Sequence, residues 1–213
     1  MRNSWIIMAF ILFLCIFLTR RMEKIPKGKQ AFAEKAVLMI DGLVDSTMGE
    51  GCRAFSPYIM TLMMSSLFGS MASLFWMRST SADLNTTLGW AIITFILITY
   101  NKIKFGGIKG YLKGFLEPIF VMAPLNVLSE IATPVSMSFR HFGNMAGGLV
   151  ITTLIMGALK VLSNAVLGFL PVPLLQIGLP GVLSLYFDCF TACMQAFIFS
   201  MLTMAYVGDA RGS

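Results

Sequence analysis

From Pro118 to Leu159 the chain runs through apolar residues broken by only two formal charges, Glu130 and Arg140. A straight helix over that stretch would be roughly 60 Å long at 1.5 Å per residue. The hydrocarbon core of a bilayer is only about 30 Å thick. The helix must therefore tilt steeply, or break at Pro124 and Pro134. Hydrophobic residues make up 57% of the chain and charged residues 12%, against about 45–50% and 25% in soluble domains. So few charges cannot cover a water-facing surface, and lipid must be the main solvent.

Four other apolar stretches accompany it: Ser4–Thr19, Phe55–Met77, Leu84–Tyr100 and Ile177–Val207. The expected fold is an all-α integral membrane protein forming one membrane domain over residues 1–213. Its membrane segments are read as 4–19, 55–77, 84–100, 118–159 and 177–207, about five helices. Residues 20–51 and 101–114 carry most of the Lys and are read as cytoplasmic. The first stretch could pass for a secretory signal, but its charge cluster, Arg20-Arg21, follows the apolar run and no small-residue cleavage site is present. A retained helix is expected. No internal repeat or low-complexity segment is found.

Orientation follows from the distribution of basic residues. With the N-terminus outside and five segments alternating, twelve Lys and Arg fall inside, from Arg20 to Arg211. Three fall outside, Arg2, Arg78 and Lys160, and Arg140 completes the 16 within the membrane. The expectation is N-outside, C-inside. Anionic lipid headgroups account for the net charge of +6 without a nucleic-acid partner.

Over Lys27–Gly49, Phe32, Ala36, Met39, Ile40, Leu43 and Val44 recur at helical spacing, with Glu34, Lys35, Asp41 and Asp45 between them. This predicts an amphipathic helix on the cytoplasmic surface; packing against another subunit would use the same stripe. Cys15, Cys52, Cys189 and Cys193 have no neighbouring His and read as apolar packing, not as a metal site.

Charges inside apolar runs carry the functional signal, because such groups are rare and face a bundle interior or a wet path. Glu130, Arg140 and Asp188 qualify. Arg140 is the sharpest, since a guanidinium cannot escape the cost of burial by losing its proton. A purely structural role would pair it with Glu130 or Asp188. Arg140, Asn144 and Gly148 lie at i, i+4 and i+8 and share one helix face, with Gly143 and Gly147 beside them. Small residues at this spacing let another helix approach closely, either from this chain or from a partner. Asp188 and Gln195, seven apart, share a face of the last stretch.

At these residues a family resemblance emerges. Pro134-Val-Ser-Met-Ser-Phe-Arg140-His-Phe-Gly-Asn144 resembles the signature of F-type ATP synthase subunit a, P-x-S-x-x-x-R followed by x-F-G-N. Asp188–Tyr206, with Gln195-Ala-Phe-Ile-Phe and Leu202-Thr-Met-Ala-Tyr206, resembles that family's last helix. Pro124–Pro134, Asp83-Leu-Asn85-Thr-Thr and Pro26-Lys-Gly-Lys-Gln30 fit as well, so the resemblance covers nearly the whole chain.

The resemblance implies that the last two helices are long, tilted and form a hairpin against a rotor ring of c subunits. It implies further contacts with peripheral-stalk b subunits, membrane lipids and, indirectly, the ATPase headpiece. The transported ion would be a proton or sodium, with no cofactor, and the chain would not be catalytic alone. Arg140 takes the position of the stator arginine. Asn144 and Gln195 take polar channel positions, Glu130 the carboxylate of the inner half-channel, and Gly143, Gly147 and Gly148 the rotor-facing surface. Leu149 stands where the family has a titratable group, leaving Asp188 as the outer acid. His141 follows the arginine where leucine is common; it reads as a channel group or as local packing.

Two other classes compete. A standalone secondary transporter could use Arg140 to bind an anionic substrate, but such folds show paired repeats. A membrane enzyme would need a catalytic dyad or a motif such as H-E-x-x-H, and the chain has one His.

Overall fold

The computed structural model describes residues 2–20, 23, 28–49, 51–75, 77, 79–116, 120–166 and 185–211. Among them there are helices and connecting turns and no strand. The helices are α1 (Arg2–Thr19), α2 (Lys29–Met48), α3 (Ser56–Met71), α4 (Leu84–Leu116) and α5 (Ala123–Val166). A π-helical turn, Leu185–Phe190, leads into α6 (Thr191–Asp209). Among the described residues, three helices are long and apolar enough to cross a bilayer: Leu84–Leu116, Ala123–Ser163 and Asp188–Asp209. This is an all-α integral membrane protein.

The elements decide or depart from the sequence reading in four places. First, of the two alternatives for the fourth stretch, an unbroken helix or a break at the prolines, α5 is the unbroken one, with Pro134 inside it. Pro124 falls in its first turn, where a missing N–H costs nothing. At about 66 Å for its 44 residues, α5 outruns any upright span. Second, the helix expected over 84–100 continues to Leu116, interrupted only at Gly107, whose φ of 68° is open to glycine at little cost. Third, the stretch 55–77 yields a 16-residue helix, α3, extended by a 3-10 turn over Ala72–Phe75. The α-helical part rises about 24 Å, short of the hydrocarbon thickness. Residues 177–184 of the expected last span lie outside the described residues.

The fourth departure is α2. Its apolar residues do not make one surface stripe. Ile40, Val44 and Met48 are buried in a core with Cys52, Ile59, Ile98, Met204, Val207 and Ala210. Phe32 remains 71% exposed, with Val37, Leu38 and Met39 exposed beside it. The helix is thus anchored along one side to α6 and presents a second apolar side outward. Gly208 permits the close approach: a Cβ there would stand 3.4 Å from the Met48 Cα.

The C-terminal helix is the hub of the packing. Its Met204 and Val207 join the first core, and its Phe199 joins Leu62, Ala91 and Met137 in a second. Between helices, hydroxyls pair where lipid offers no substitute: Tyr58 with Thr94 at 3.0 Å, and Thr87 with Ser138 at 3.1 Å. Such interhelical bonds in membranes contribute on the order of 0.6–2 kcal/mol each. Most of α5 faces outward, with Leu125, Leu128, Leu149, Leu154 and Val161 exposed.

Candidate functional site

The roll of α5 about its axis decides where Arg140 points. Met137, His141 and Met145 are buried at i, i+4 and i+8 and form the inward stripe. His141 is 1% exposed, and its Nε2 lies 3.2 Å from the Ser66 hydroxyl of α3. The rings of Trp90 and Phe199 stand 5.8 and 5.5 Å from it. Arg140, one residue back, is rotated by about 100° from that stripe, and its side chain is exposed.

No described carboxylate pairs with Arg140. The ion pairs among the described residues are Arg53–Asp45 and Lys102–Glu130, so neither Glu130 nor Asp188 locks the guanidinium. Asn144, one turn on, is also exposed. A Cβ added at Gly143, Gly147 or Gly148 would meet nothing within 4 Å. The described part of this chain does not cover that small-residue surface, so contact with a described helix does not explain these glycines.

Glu130 stands elsewhere, ten residues toward the N-terminus of α5. It lies on the wall of a cavity of about 720 Å³ bounded by the second half of α4, the first part of α5 and the end of α6. Its Oε1 accepts a hydrogen bond of 2.8 Å from Lys102 Nζ. Pro134 has no N–H to give the Glu130 carbonyl four residues before it, so the backbone here is short of one helical donor. Asn126, also on the cavity wall, donates to the Phe115 carbonyl at 3.0 Å. Gln195 is 6% exposed on α6, and Asp188 is partly exposed in the π-helical turn before it.

The structure therefore groups some expected residues and separates others. Arg140, Asn144 and the three glycines share one open surface. Glu130 belongs to a separate cavity, and Gln195 is buried within α6. Sequence reasoning did not single out Lys102, which was assigned to a cytoplasmic segment, nor Ser66 and Ser138, whose hydroxyls look ordinary until their partners are known. For His141, the structure shows packing and a hydroxyl contact; its Nδ1 is buried without a hydrogen-bond partner.

The sequence profile of the family described as ATP synthase A chain matches residues 1–208. The chain belongs to the ATP synthase A chain family. It is 31% identical to "ATP synthase subunit a, sodium ion specific" of Propionigenium modestum, across 99% of this chain and 73% of that protein. It is also 31% identical to "ATP synthase subunit a 2" of a Bradyrhizobium strain, across 99% of this chain and 87% of the relative. For subunit a of Moorella thermoacetica the identity is again 31%, over 97% and 88%. As a member of the A chain family, this protein is a non-catalytic membrane subunit of an ATP synthase, and a standalone anion transporter is not favoured. The family signature Pro134–Asn144 occupies the middle of α5, and the last-helix motif runs along α6.

Proposed function

We propose that the chain is the ion-translocating stator subunit, serving the carboxylates of a rotor ring through two aqueous half-channels separated by Arg140. The carrying observation is the outward-facing guanidinium of Arg140, with no described carboxylate paired to it, beside glycines that no described residue covers. A ring of c subunits seated there would bring each membrane carboxylate past the cation.

Magnitudes support such a role. A carboxylate about 4 Å from Arg140 gains roughly 4 kcal/mol at an effective dielectric of 20. Placing an ionised acid in the bilayer centre costs about 2.5–3.5 kcal/mol on insertion scales. The two nearly cancel, so a ring carboxylate can give up its ion beside Arg140 without being clamped there. The same fixed charge repels a cation moving directly between the half-channels. Each charge leaking through 100 mV would dissipate about 2.3 kcal/mol.

In this reading the cavity holding Glu130 is the inner half-channel, Asp188 serves the outer one, and Asn144 and Gln195 are polar groups along the route. The N-terminus lies outside and the C-terminus inside, with b subunits holding the chain against the turning ring. The transported ion is a proton or sodium.

The test is Arg140→Ala in the assembled complex. Coupled transport and ATP synthesis should be abolished while membrane insertion and co-fractionation with the ring persist. Normal coupled synthesis by a correctly assembled Arg140→Ala complex would refute the role.

A further inference from the structure

The cavity between α4, α5 and α6 is lined by two cations, Lys102 and Arg211, and two anions, Glu130 and Asp209. They are not equivalent. Arg211 is held by other groups: its Nη1 donates to the Cys52 sulfur at 2.7 Å, and its guanidinium sits 4.8 Å over the Phe105 ring. Asp209 is exposed at the end of α6. The Lys102 and Glu130 side chains are only 36% and 14% exposed and are tied to each other. Lys102 reaches Glu130 because α4 continues past Tyr100 alongside α5.

A passage for a cation has two requirements, entry and exit. Binding must be favourable enough to admit the ion and weak enough to release it. An unopposed Glu130 on a cavity wall close to lipid would hold a cation too long. We propose that Lys102 is a built-in counter-charge for the ion path: it offsets Glu130, so that a passing cation meets a locally neutral wall. Lys102 is then a positioning residue for transport, acting through Glu130 and not on the ring. The inference rests on the reading of this cavity as the inner half-channel.

This assignment gives the two single variants opposite signs. In Lys102→Gln the wall carries an uncompensated negative charge; in Glu130→Gln, an uncompensated positive one. Removing both restores the balance. An isolated side-chain role for either residue, or a merely structural bridge, does not produce a reversal of sign followed by recovery.

The experiment uses the whole complex reconstituted in liposomes with the headpiece outward, so that the medium contacts the inner side. ATP-driven pumping is measured while protons and sodium ions are varied in turn in the medium, and assembly is checked by co-fractionation of ring and headpiece. Lys102→Gln should lower the half-saturating ion concentration on the order of threefold, the effect of one charge at roughly 8 Å in a wet cavity. Glu130→Gln should raise it by a similar factor, and the double variant should return close to the wild-type value. The inference is overturned if Lys102→Gln leaves the value unchanged, or if the double variant is no better than Glu130→Gln. Arg140→Ala run in parallel separates the two levels. If it abolishes pumping while the charge variants show no opposed shifts, only the role of Lys102 fails; if it pumps normally, the channel reading itself fails.

Discussion

At the residue scale, two neighbours on α5 divide the work of the segment. His141 turns inward among Ser66, Trp90 and Phe199, and Arg140 is thereby turned outward. Replacing His141 by leucine should cost only about 1 kcal/mol, because the ring is already packed among aromatics and its Nδ1 has no partner to lose, so the Ser66 contact is the one hydrogen bond removed. Thermal unfolding of the purified complex checks this. Aspartate at the same position should instead impair assembly, since a buried unpaired carboxylate costs several kcal/mol. Asp188→Asn belongs to the same scale. It should slow ion entry from the outer side alone, seen as reduced synthesis driven by an outside-high ion gradient. Unchanged flux with unchanged pH dependence would remove Asp188 from the path.

At the scale of elements, the glycines of α5 and α6 make contrasting predictions. Gly208 faces the Met48 backbone of α2. Gly208→Val should push α2 from α6 and lower the stability of the isolated subunit, measured by its unfolding in detergent. Gly147 meets nothing in the described chain. Gly147→Leu should leave the isolated subunit as stable as wild type and weaken its association with the ring, read by co-fractionation. A loss of subunit stability in Gly147→Leu would mean that this chain covers the glycine itself.

The elements also show what was legible in the sequence. Apolar runs marked the long helices, and the i, i+4, i+8 spacing of Arg140, Asn144 and Gly148 put these three on one helix face. Helix continuation past Tyr100 was hidden, because four lysines in 101–114 resemble a loop when contacts are unknown. Once α4 packs on α5, Lys102 has Glu130 as partner and the helix can continue. Likewise the α2 stripe looked like one membrane-facing surface. Only the position of α6 separates Ile40 and Val44, which are buried, from Phe32 and Met39, which are not.

At the scale of the whole molecule, the described helices gather around α6, and they leave one long helix, α5, largely uncovered. In a lipid-embedded protein the hydrophobic effect does not drive helices together, so an uncovered apolar face is stable against lipid. An uncovered arginine is not. No described carboxylate stands beside Arg140, and under the proposed function a passing ring carboxylate would offset its cost in lipid.

The most direct test measures passive ion conduction through membranes containing the complex stripped of its headpiece, with the ring cross-linked to the stator so that it cannot turn. With Arg140 present, the locked membrane sector should be tight. With Arg140→Ala it should leak ions down an imposed potential, because the two half-channels are no longer held apart. A locked Arg140→Ala sector as tight as wild type would contradict the account.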